Sequence, residues 1–419
     1  MKNKKETLLI LTILITICII IFNRDKLYEA KYTEPKDTLL AITINGEIST
    51  TFPTTKYYET SVECTTGTGK VEWNGTKWVL TTNGITKGST KCNATFITKV
   101  PTFAETILAN NKVKAPITTP GATISTASEA LLASTEDDYG TSYYFRGAVT
   151  NNYVEFANKC WRIVRVGGDG SVKLILHNDN PTGAANPCDA ANNSASAAFA
   201  HYNYSTYTSR FNENYDDNAY IGFKYGTPGS SKYETTHANT NKSTILTNLE
   251  TWYTNNLKTY ESVIDDTVWC NDKTNVTDTS YDPWSITPNG LGYAKNVTYY
   301  GATKRLVGTS GSAGGTGPSL KCNGELSKIN SKVGLITADE LAFAGYAYNI
   351  GNTTTYLQEN ATNTYWWSLS PYGFDVGSAG YFDNYNVRGT YGVRPLISLK
   401  STTNVTGEGT SSAPYIISM

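Results

Sequence analysis

An uncharged apolar run lies near the start of the chain. Thr7–Asn23 contains no charged side chain, is dominated by Leu and Ile, and follows a cluster of lysines. A helix over this run would span about 25 Å, at the short end of what crosses a hydrocarbon core. Because no small-residue cleavage site follows, we expect residues 1–24 to form a membrane anchor, with a cleaved signal segment as the alternative. Residues 25–38 are charged and polar, and we expect a stalk there.

Short alternating segments fill residues 39–99. Turns of Gly, Thr and Asn separate them, which is typical of a sheet built from short strands. The predicted strands are Leu40–Asn45, Ser61–Cys64, Lys70–Trp73, Lys77–Leu80 and Cys92–Phe96. Since so small a module buries little apolar surface, we expect a β-sandwich that depends on a disulfide.

Residues 100–135 have the composition of a linker. Pro, Thr and Gly dominate Ala115–Thr123, and these residues interrupt regular structure. On either side, Phe103–Asn110 and Ser128–Ala133 repeat apolar residues at helical spacing. We therefore predict a linker with short helices, leading into a larger domain.

Aromatic and β-branched segments dominate residues 136–400, which we predict to form that larger domain, with residues 401–419 as a C-terminal tail or edge strand. The predicted strands are Tyr143–Phe145, Tyr153–Phe156, Trp161–Val166, Val172–Leu176, Gly334–Thr337, Trp366–Ser370, Ala379–Phe382 and Val393–Leu399. Glycines 167, 168 and 170 join Trp161–Val166 and Val172–Leu176 into a hairpin. The fold class is therefore α+β and β-dominated.

Helical signals in this domain are few. Ser243–Tyr260 follows the helical period, with Ser243 as a suitable N-cap. Thr337 and Glu340 have the spacing of a capping box, which predicts a short helix that ends near Gly345. Asn178–Lys242 is poor in aliphatic residues and is predicted to form long surface loops.

The composition narrows the classes of function that fit the chain. The net charge is −1 and only 17% of residues are charged, while Tyr occurs 30 times. A nucleic-acid partner is not expected, because binding phosphates requires a strongly basic surface. Tyr combines rigid contact area with a polar tip, which suits an exported protein that binds a polar ligand.

The cysteines favour disulfides. Outside the apolar run, which contains Cys18, the chain has Cys64, Cys92, Cys160, Cys188, Cys270 and Cys322. No Cys-x-x-Cys pair occurs, so no metal site is expected. Six cysteines allow 15 connectivities. Sequential pairing, 64–92, 160–188 and 270–322, keeps each bond within one segment, and free buried thiols are the alternative.

No catalytic constellation stands out, and no cofactor is expected. His177, His201 and His237 fall in or beside the predicted loops, where we interpret them as surface residues. The acidic groups are interpreted as surface turns rather than glycosidase dyads or calcium ligands; they are Glu136, Asp137, Asp138, Asp216, Asp217, Asp265 and Asp266. Gly308–Gly317 lacks the Lys-Ser/Thr ending of a phosphate loop and reads as a flexible loop.

The segment Pro371–Thr390 is the strongest candidate for binding. Aromatic faces alternate there with amide, carboxylate and guanidinium groups, a combination that stacks on sugars or protein side chains and donates oriented hydrogen bonds. The candidate ligand-binding residues are Tyr381, Phe382, Asp383, Asn384, Tyr385, Asn386, Arg388 and Tyr391. The alternative is that alternate residues of Ala379–Phe382 pack inward, and we expect Trp366 and Trp367 in the core. Arg394 is interpreted as a structural ion-pair residue.

Several motifs carry a family resemblance. Glu136–Gly147, Trp161–Arg165, Gly334–Glu340, Trp366–Pro371 and Gly392–Pro395 resemble an uncharacterised family of surface proteins from gut Firmicutes and their wall-less relatives. The C-terminal part is similar to the DUF6273 group, and Phe52–Phe96 resembles a small domain that often precedes it. The layout is similar to the C-type-lectin-like fold of formylglycine-generating enzymes and of the variable proteins of diversity-generating retroelements.

The resemblance implies a lectin-like fold for residues 136–400 and recognition by the C-terminal loops. It does not imply formylglycine-generating activity, because no cysteine follows Cys322. We therefore expect a single-pass membrane protein, anchored through Thr7–Asn23 or secreted after cleavage, that binds a glycan or surface protein outside the cell. The alternatives are an extracellular enzyme acting on glycan or envelope polymers and a structural envelope spacer.

Overall fold

The computed structural model describes residues 39–86, 88–202, 205–370 and 374–419. The described chain is β-dominated and divides between Pro101 and Thr102 into two compact units. Within these ranges, no helix has the length and apolar character needed to cross a membrane. The predicted anchor, Thr7–Asn23, lies outside the described residues.

The first unit consists of strands alone within its described part. They are β1 (Leu39–Ile44), β2 (Glu47–Ser49), β3 (Tyr58–Cys64), β4 (Thr68–Trp73), β5 (Trp78–Asn83) and β6 (Lys91–Thr98). Four of them form a sheet in the order β2-β1-β6-β3, in which β1 and β6 are parallel, and β4 and β5 form a separate hairpin. The strand prediction for this segment is confirmed.

The core of the first unit is small and aromatic. Phe96 is fully buried, and Trp78 packs edge-on against it with ring centroids 5.3 Å apart. Cys64 and Cys92 are direct partners in the β3–β6 register, and a disulfide joins them. The bond therefore holds together the strand pair that carries Phe96 into the core.

The second unit contains nineteen strands, β7 to β25, among its described residues. They are β7 (Ala130–Asp137), β8 (Gly140–Gly147), β9 (Tyr153–Phe156), β10 (Lys159–Val166), β11 (Val172–Asn178), β12 (His201–Tyr202), β13 (Ser205–Thr206), β14 (Thr208–Ser209), β15 (Lys224–Tyr225), β16 (Asn241–Lys242), β17 (Thr267–Cys270), β18 (Lys328–Ser331), β19 (Trp366–Trp367), β20 (Phe374–Val376), β21 (Phe382–Asn384), β22 (Tyr391–Gly392), β23 (Leu396–Leu399), β24 (Val405–Thr406) and β25 (Tyr415–Ile417). Its α-helices are α1 (Phe103–Asn110), α2 (Tyr233–Thr236), α3 (Thr244–Asn256), α4 (Gly301–Leu306) and α5 (Ala338–Ala344).

The largest sheet, which we call the central sheet, has eight strands. Its main order is β23-β11-β10-β9-β25-β24; β8 pairs with β10 beyond the end of β9, and β7 pairs with β8. The predicted β10–β11 hairpin is confirmed, and Asp169 accepts hydrogen bonds from the Ser171 backbone and hydroxyl in its turn. Trp161, Ile163 and Leu174 are fully buried, so this hairpin lies in the middle of the core.

The predicted helix starts are confirmed by their caps. Ser243 accepts a hydrogen bond from the Leu246 backbone at the start of α3. Thr337 and Glu340 form a capping box at the start of α5, which ends at Gly345 with φ 125°. Phe103–Asn110 is helical as predicted, with its own capping box. These are local signals, readable without knowledge of the tertiary fold.

Three other predictions about elements were wrong. Ser128–Ala133 is not helical: Ala130 onward pairs with β8 along the whole of β7, and strand pairing overrides the apolar spacing. Gly334–Thr337 is buried but forms only a single bridge, from Gly334 to Leu396. Asn178–Lys242 is not simply surface loop, because it contains short strands and the fully buried side chains Phe199, Phe211 and Phe223.

Candidate ligand-binding site

A second sheet of the second unit positions the candidate residues. Its five strands run in the order β14-β22-β19-β20-β21, and we call it the site sheet. Trp367 lies opposite Asp375, which in turn lies opposite Asp383. Trp366 lies opposite Gly392. Because side chains alternate between the faces of a sheet, one face carries Trp367, Asp375, Asp383 and Tyr391.

The opposite face of the site sheet belongs to the core. Trp366, Phe374, Val376 and Phe382 are all fully buried. The rings of Phe374 and Phe382 stack with centroids 5.3 Å apart. Phe382, one of the candidate ligand-binding residues, is therefore removed from the surface, as the inward-packing alternative anticipated.

Two carboxylates lie side by side on the other face. Asp375 is 1% exposed, and neither of its carboxylate oxygens has a hydrogen-bond partner among the described residues. Burial, and then the neighbouring charge of Asp383, raise the pKa of Asp375 to about 8. Asp383 is half-buried, and one of its oxygens accepts a hydrogen bond from the Asn384 backbone at 2.8 Å.

An aromatic cluster adjoins these carboxylates. Tyr391 lies at its centre, with ring centroids 4.6 Å from Trp367, 5.3 Å from Tyr365 and 5.6 Å from Tyr385. Trp367 is fully buried, whereas Tyr365 is 46% and Tyr385 58% exposed. Burial raises the pKa of the Tyr391 hydroxyl, and the charge of Asp375 raises it further. The cluster thus has a buried floor and an exposed rim.

The remaining candidate residues lie along the same segment. Tyr381 is 48% exposed, and Asn384 accepts a hydrogen bond from the Tyr348 hydroxyl. Asn386 is exposed and accepts a hydrogen bond from the Arg388 backbone at 2.9 Å. The guanidinium of Arg388 lies over the Tyr215 ring, 5.2 Å from its centroid. Pro371–Gly373, at the start of the predicted segment, lie outside the described residues.

Sequence reasoning did not select Asp375, Tyr365 or Tyr215. Asp375 is the middle residue of β20, and its relation to Asp383 depends on the register of β20 with β21. Tyr215 is distant in sequence from Arg388. The available signal for Asp375 was a charged residue flanked on both sides by apolar residues, Phe374 and Val376.

A cavity elsewhere in the second unit is lined by charged side chains that form ion pairs with one another. It has a volume of about 40 Å³, room for very few water molecules. Arg165 pairs with Asp137 at 2.9 Å and with Glu340 at 3.0 Å, and Glu340 also pairs with Lys173 at 3.0 Å. Burial opposes ionisation of Glu340, but Lys173 and Arg165 lower its pKa to about 2.

The interpretation of the acidic groups as surface turns was wrong for Asp137 and Asp217, whereas Glu136, Asp138, Asp216 and Asp266 are exposed. Asp137 is buried and pairs with Arg165. Asp217 is also buried and caps a short 3₁₀ helix by accepting from the Ala219 backbone.

The histidines are buried rather than on the surface. His177 and His237 are fully buried, and the His201 side chain is 8% exposed. Burial, and then the charge of Lys273, lower the pKa of His237 to about 4, and its Nε2 lies 2.7 Å from the Gly292 carbonyl oxygen. The surface interpretation was wrong because His177 lies in β11 of the central sheet, and the segment between β11 and α3, which contains His201 and His237, also packs into the core.

Arg394 links the two sheets by hydrogen bonds to backbone rather than through a predicted ion pair. Its Nε donates to the Leu176 carbonyl at 2.9 Å, and one terminal nitrogen donates to the Leu357 carbonyl at 2.5 Å. The guanidinium lies over the Trp366 ring, 5.0 Å from its centroid. Leu176 belongs to the central sheet and Trp366 to the site sheet, so Arg394 fixes one against the other.

Sequential disulfide pairing is confirmed. Besides the bond between Cys64 and Cys92, the structure contains the pairs Cys160–Cys188 and Cys270–Cys322. These bonds are typical of proteins that fold in an oxidising compartment.

Comparisons of this chain with protein-family models, with curated proteins and with solved structures found no match. The lectin-like relationship therefore stays a prediction.

Proposed function

We propose that this chain is a membrane-anchored extracellular binding protein that recognises a glycan or a surface protein through Tyr381–Tyr391. The observation that carries the proposal is the division of this segment between core and solvent. Phe382 and Val387 are buried, while Tyr381 and Tyr385 are exposed. Large aromatic side chains that stay exposed on a well-anchored segment are typical of recognition surfaces.

The surroundings of the segment support this proposal. The Val387 carbonyl accepts hydrogen bonds from the Phe211 and Asn212 backbones, which hold the segment in place. Beyond Arg388, the ring of Tyr215 lines a groove of about 290 Å³. A rigid aromatic surface next to a groove binds with little loss of conformational freedom.

The wider assignment is part of the same proposal. Thr7–Asn23 would hold the chain in the membrane, and the disulfides together with the weakly charged, Tyr-rich surface favour a location outside the cell. The first unit would be a β-sandwich spacer, and the second a C-type-lectin-like domain that presents the site.

The test is binding of the oxidised full chain, held in nanodiscs, to an array of glycans and surface proteins. We expect hits that Tyr385→Ala/Arg388→Ala weakens at least tenfold while the melting temperature is unchanged. The control is Tyr139→Ala/Lys258→Ala, which removes an exposed tyrosine and an exposed cation elsewhere. Hits that survive the first variant, or no hits at all, would contradict the proposal and direct attention to activity on envelope polymers.

A further inference from the structure

We propose that the site takes a ligand that carries an ammonium group, held between the carboxylates of Asp375 and Asp383 and the rings of Tyr365, Tyr385 and Tyr391. The inference deepens the proposed function, since it assigns a chemical class to the ligand of the same surface. It rests on that function, but it is tested separately from it.

The carboxylate of Asp375 lacks a partner in the described part of the chain. Both of its oxygens are buried without a hydrogen-bond partner among the described residues. Burying such a group without compensation costs free energy, and most buried polar groups in folded proteins are satisfied. A ligand that supplies the missing hydrogen-bond partner would account for the burial of the Asp375 carboxylate. A cation is the natural partner, because the Asp383 carboxylate lies directly opposite and an entering positive charge favours ionisation of Asp375.

A second feature is the position of the rings. Tyr391 contacts Trp367, the cross-strand neighbour of Asp375, at 4.6 Å between centroids. Tyr365 lies against Gly377, where a Cβ atom would approach its ring to 3.1 Å. The exposed rim formed by Tyr365 and Tyr385 therefore adjoins the strand that carries Asp375.

Together these features match the known requirements of ammonium recognition. Aromatic faces attract cations through their negative quadrupole, and the attraction grows where water is excluded. Asp383 is the half-buried carboxylate that an entering ligand meets first, and the positive charge of the ligand then favours ionisation of Asp375 behind it. A metal ion would gain little from the rings, which is why we favour an organic cation.

The experiment compares two lysine probes, one charged and one neutral at the side-chain nitrogen. Nα-acetyl-lysine methylamide carries an ammonium group, and its Nε-acetylated analogue is neutral. Each is titrated calorimetrically into the full oxidised chain in nanodiscs, at about pH 8.5, where the amine is still protonated. We expect saturable binding of the charged probe and at least tenfold weaker binding of the neutral one.

Variants of the two carboxylates test whether the charged probe binds between them. Asp375→Asn and Asp383→Asn should each weaken the charged probe at least tenfold, with melting temperatures no lower than that of the parent chain. Asp266→Asn removes an exposed carboxylate elsewhere and should bind normally. Equal binding of the two probes, unchanged binding by both Asn variants, or displacement of the probe by calcium chloride at matched ionic strength would overturn the proposal.

The outcome is distinguishable from failure of the proposed function. If array hits depend on Tyr385 and Arg388 but neither lysine probe binds, recognition stands and the ammonium assignment is wrong. If the charged probe binds through Asp375 and Asp383 but the array gives no hits, the ammonium site stands and the ligand lies outside the classes on the array.

Discussion

Asp375 and Asp383 lie directly opposite each other on neighbouring antiparallel strands, with Asp375 almost fully buried. Like charges in that relationship repel, and the repulsion is strongest where water is scarce. The pair is the electrostatic centre of the site sheet, and it makes the stability of the fold depend on pH.

The first prediction concerns Asp375→Asn. The pKa of Asp375 is raised from 3.8 to about 8, so between these values the folded chain keeps a proton that the unfolded chain releases. The free energy of unfolding therefore falls as pH rises through this window, by at most about 1.4 kcal/mol per pH unit from this group. Asn cannot ionise, so the variant should become progressively more stable than the parent chain towards about pH 8.

Urea unfolding of both chains across that range is the measurement. Asp266→Asn, which removes an exposed carboxylate elsewhere, is the matched control, and it should change the free energy of unfolding by less than about 0.5 kcal/mol. If the curves of the parent and Asp375→Asn stay parallel, the carboxylate is ionised in the fold and has a partner.

The second prediction concerns Glu340→Gln in the charged cavity. Glu340 has its pKa lowered from 4.5 to about 2 despite burial, through Lys173 and Arg165. Its contribution is present above the unfolded value and is lost as pH falls towards about 2. Gln keeps the oxygen that caps α5 but leaves the cations less well paired, so we expect a loss of about 3 kcal/mol near neutral pH.

Chemical denaturation at neutral and acidic pH checks this result, with the loss shrinking in acid. Glu250→Gln is the matched control, since Glu250 pairs with Lys242 on an exposed face of α3. Its effect should stay below about 0.5 kcal/mol. A loss that is independent of pH would mean that packing, rather than charge, accounts for the effect of Glu340→Gln.

The third prediction concerns Arg394→Lys. Lysine keeps the charge but cannot reach the Leu176 and Leu357 carbonyls with a planar fork, nor stack on Trp366 as a guanidinium does. We expect a loss of about 2 kcal/mol in urea unfolding, from carbonyls left unsatisfied. Arg210→Lys, which changes an arginine whose side chain is 44% exposed, should cost little. Equal effects of the two substitutions would show that Arg394 does not brace the sheets.

The fourth prediction concerns the first unit. Its buried core is small, and the Cys64–Cys92 bond closes a separation of 28 residues. By the loop-entropy relation, removing the bond with Cys64→Ser/Cys92→Ser costs about 3.6 kcal/mol. Hydrogen exchange of residues 39–99 should accelerate, whereas Cys160→Ser/Cys188→Ser should leave exchange in that range unchanged. Unchanged protection in the first variant would mean that the sheet is stable without its crosslink.

Local chemistry made part of this fold readable from the sequence. Thr337 and Glu340 predict the start of α5, because a capping box involves residues three apart. The glycines between β10 and β11 predict the hairpin that these strands form. Sequential disulfide pairing was one of the 15 connectivities that six cysteines allow, and the structure contains that one.

The site sheet was not readable in the same way. Ser209 pairs with Tyr391, and Trp366 pairs with Gly392. Local composition predicts neither of these pairings. The strand predicted at Ala379–Phe382 begins only at Phe382, and such a shift changes which side chains face one another. Composition was thus enough to select the exposed candidate residues, whereas Asp375 could be identified only from the register of β20 and β21.

The alternation of buried and exposed side chains along Tyr381–Tyr391 also affects how this surface can change over generations. Phe382 and Val387 are tied to the core, while Tyr381 and Tyr385 between and beside them are exposed. Substitutions at the exposed positions would leave Phe382 and Val387 in the core, because these two side chains hold the segment to the rest of the unit. Selection can therefore revise what the protein recognises without having to rebuild the scaffold that presents it.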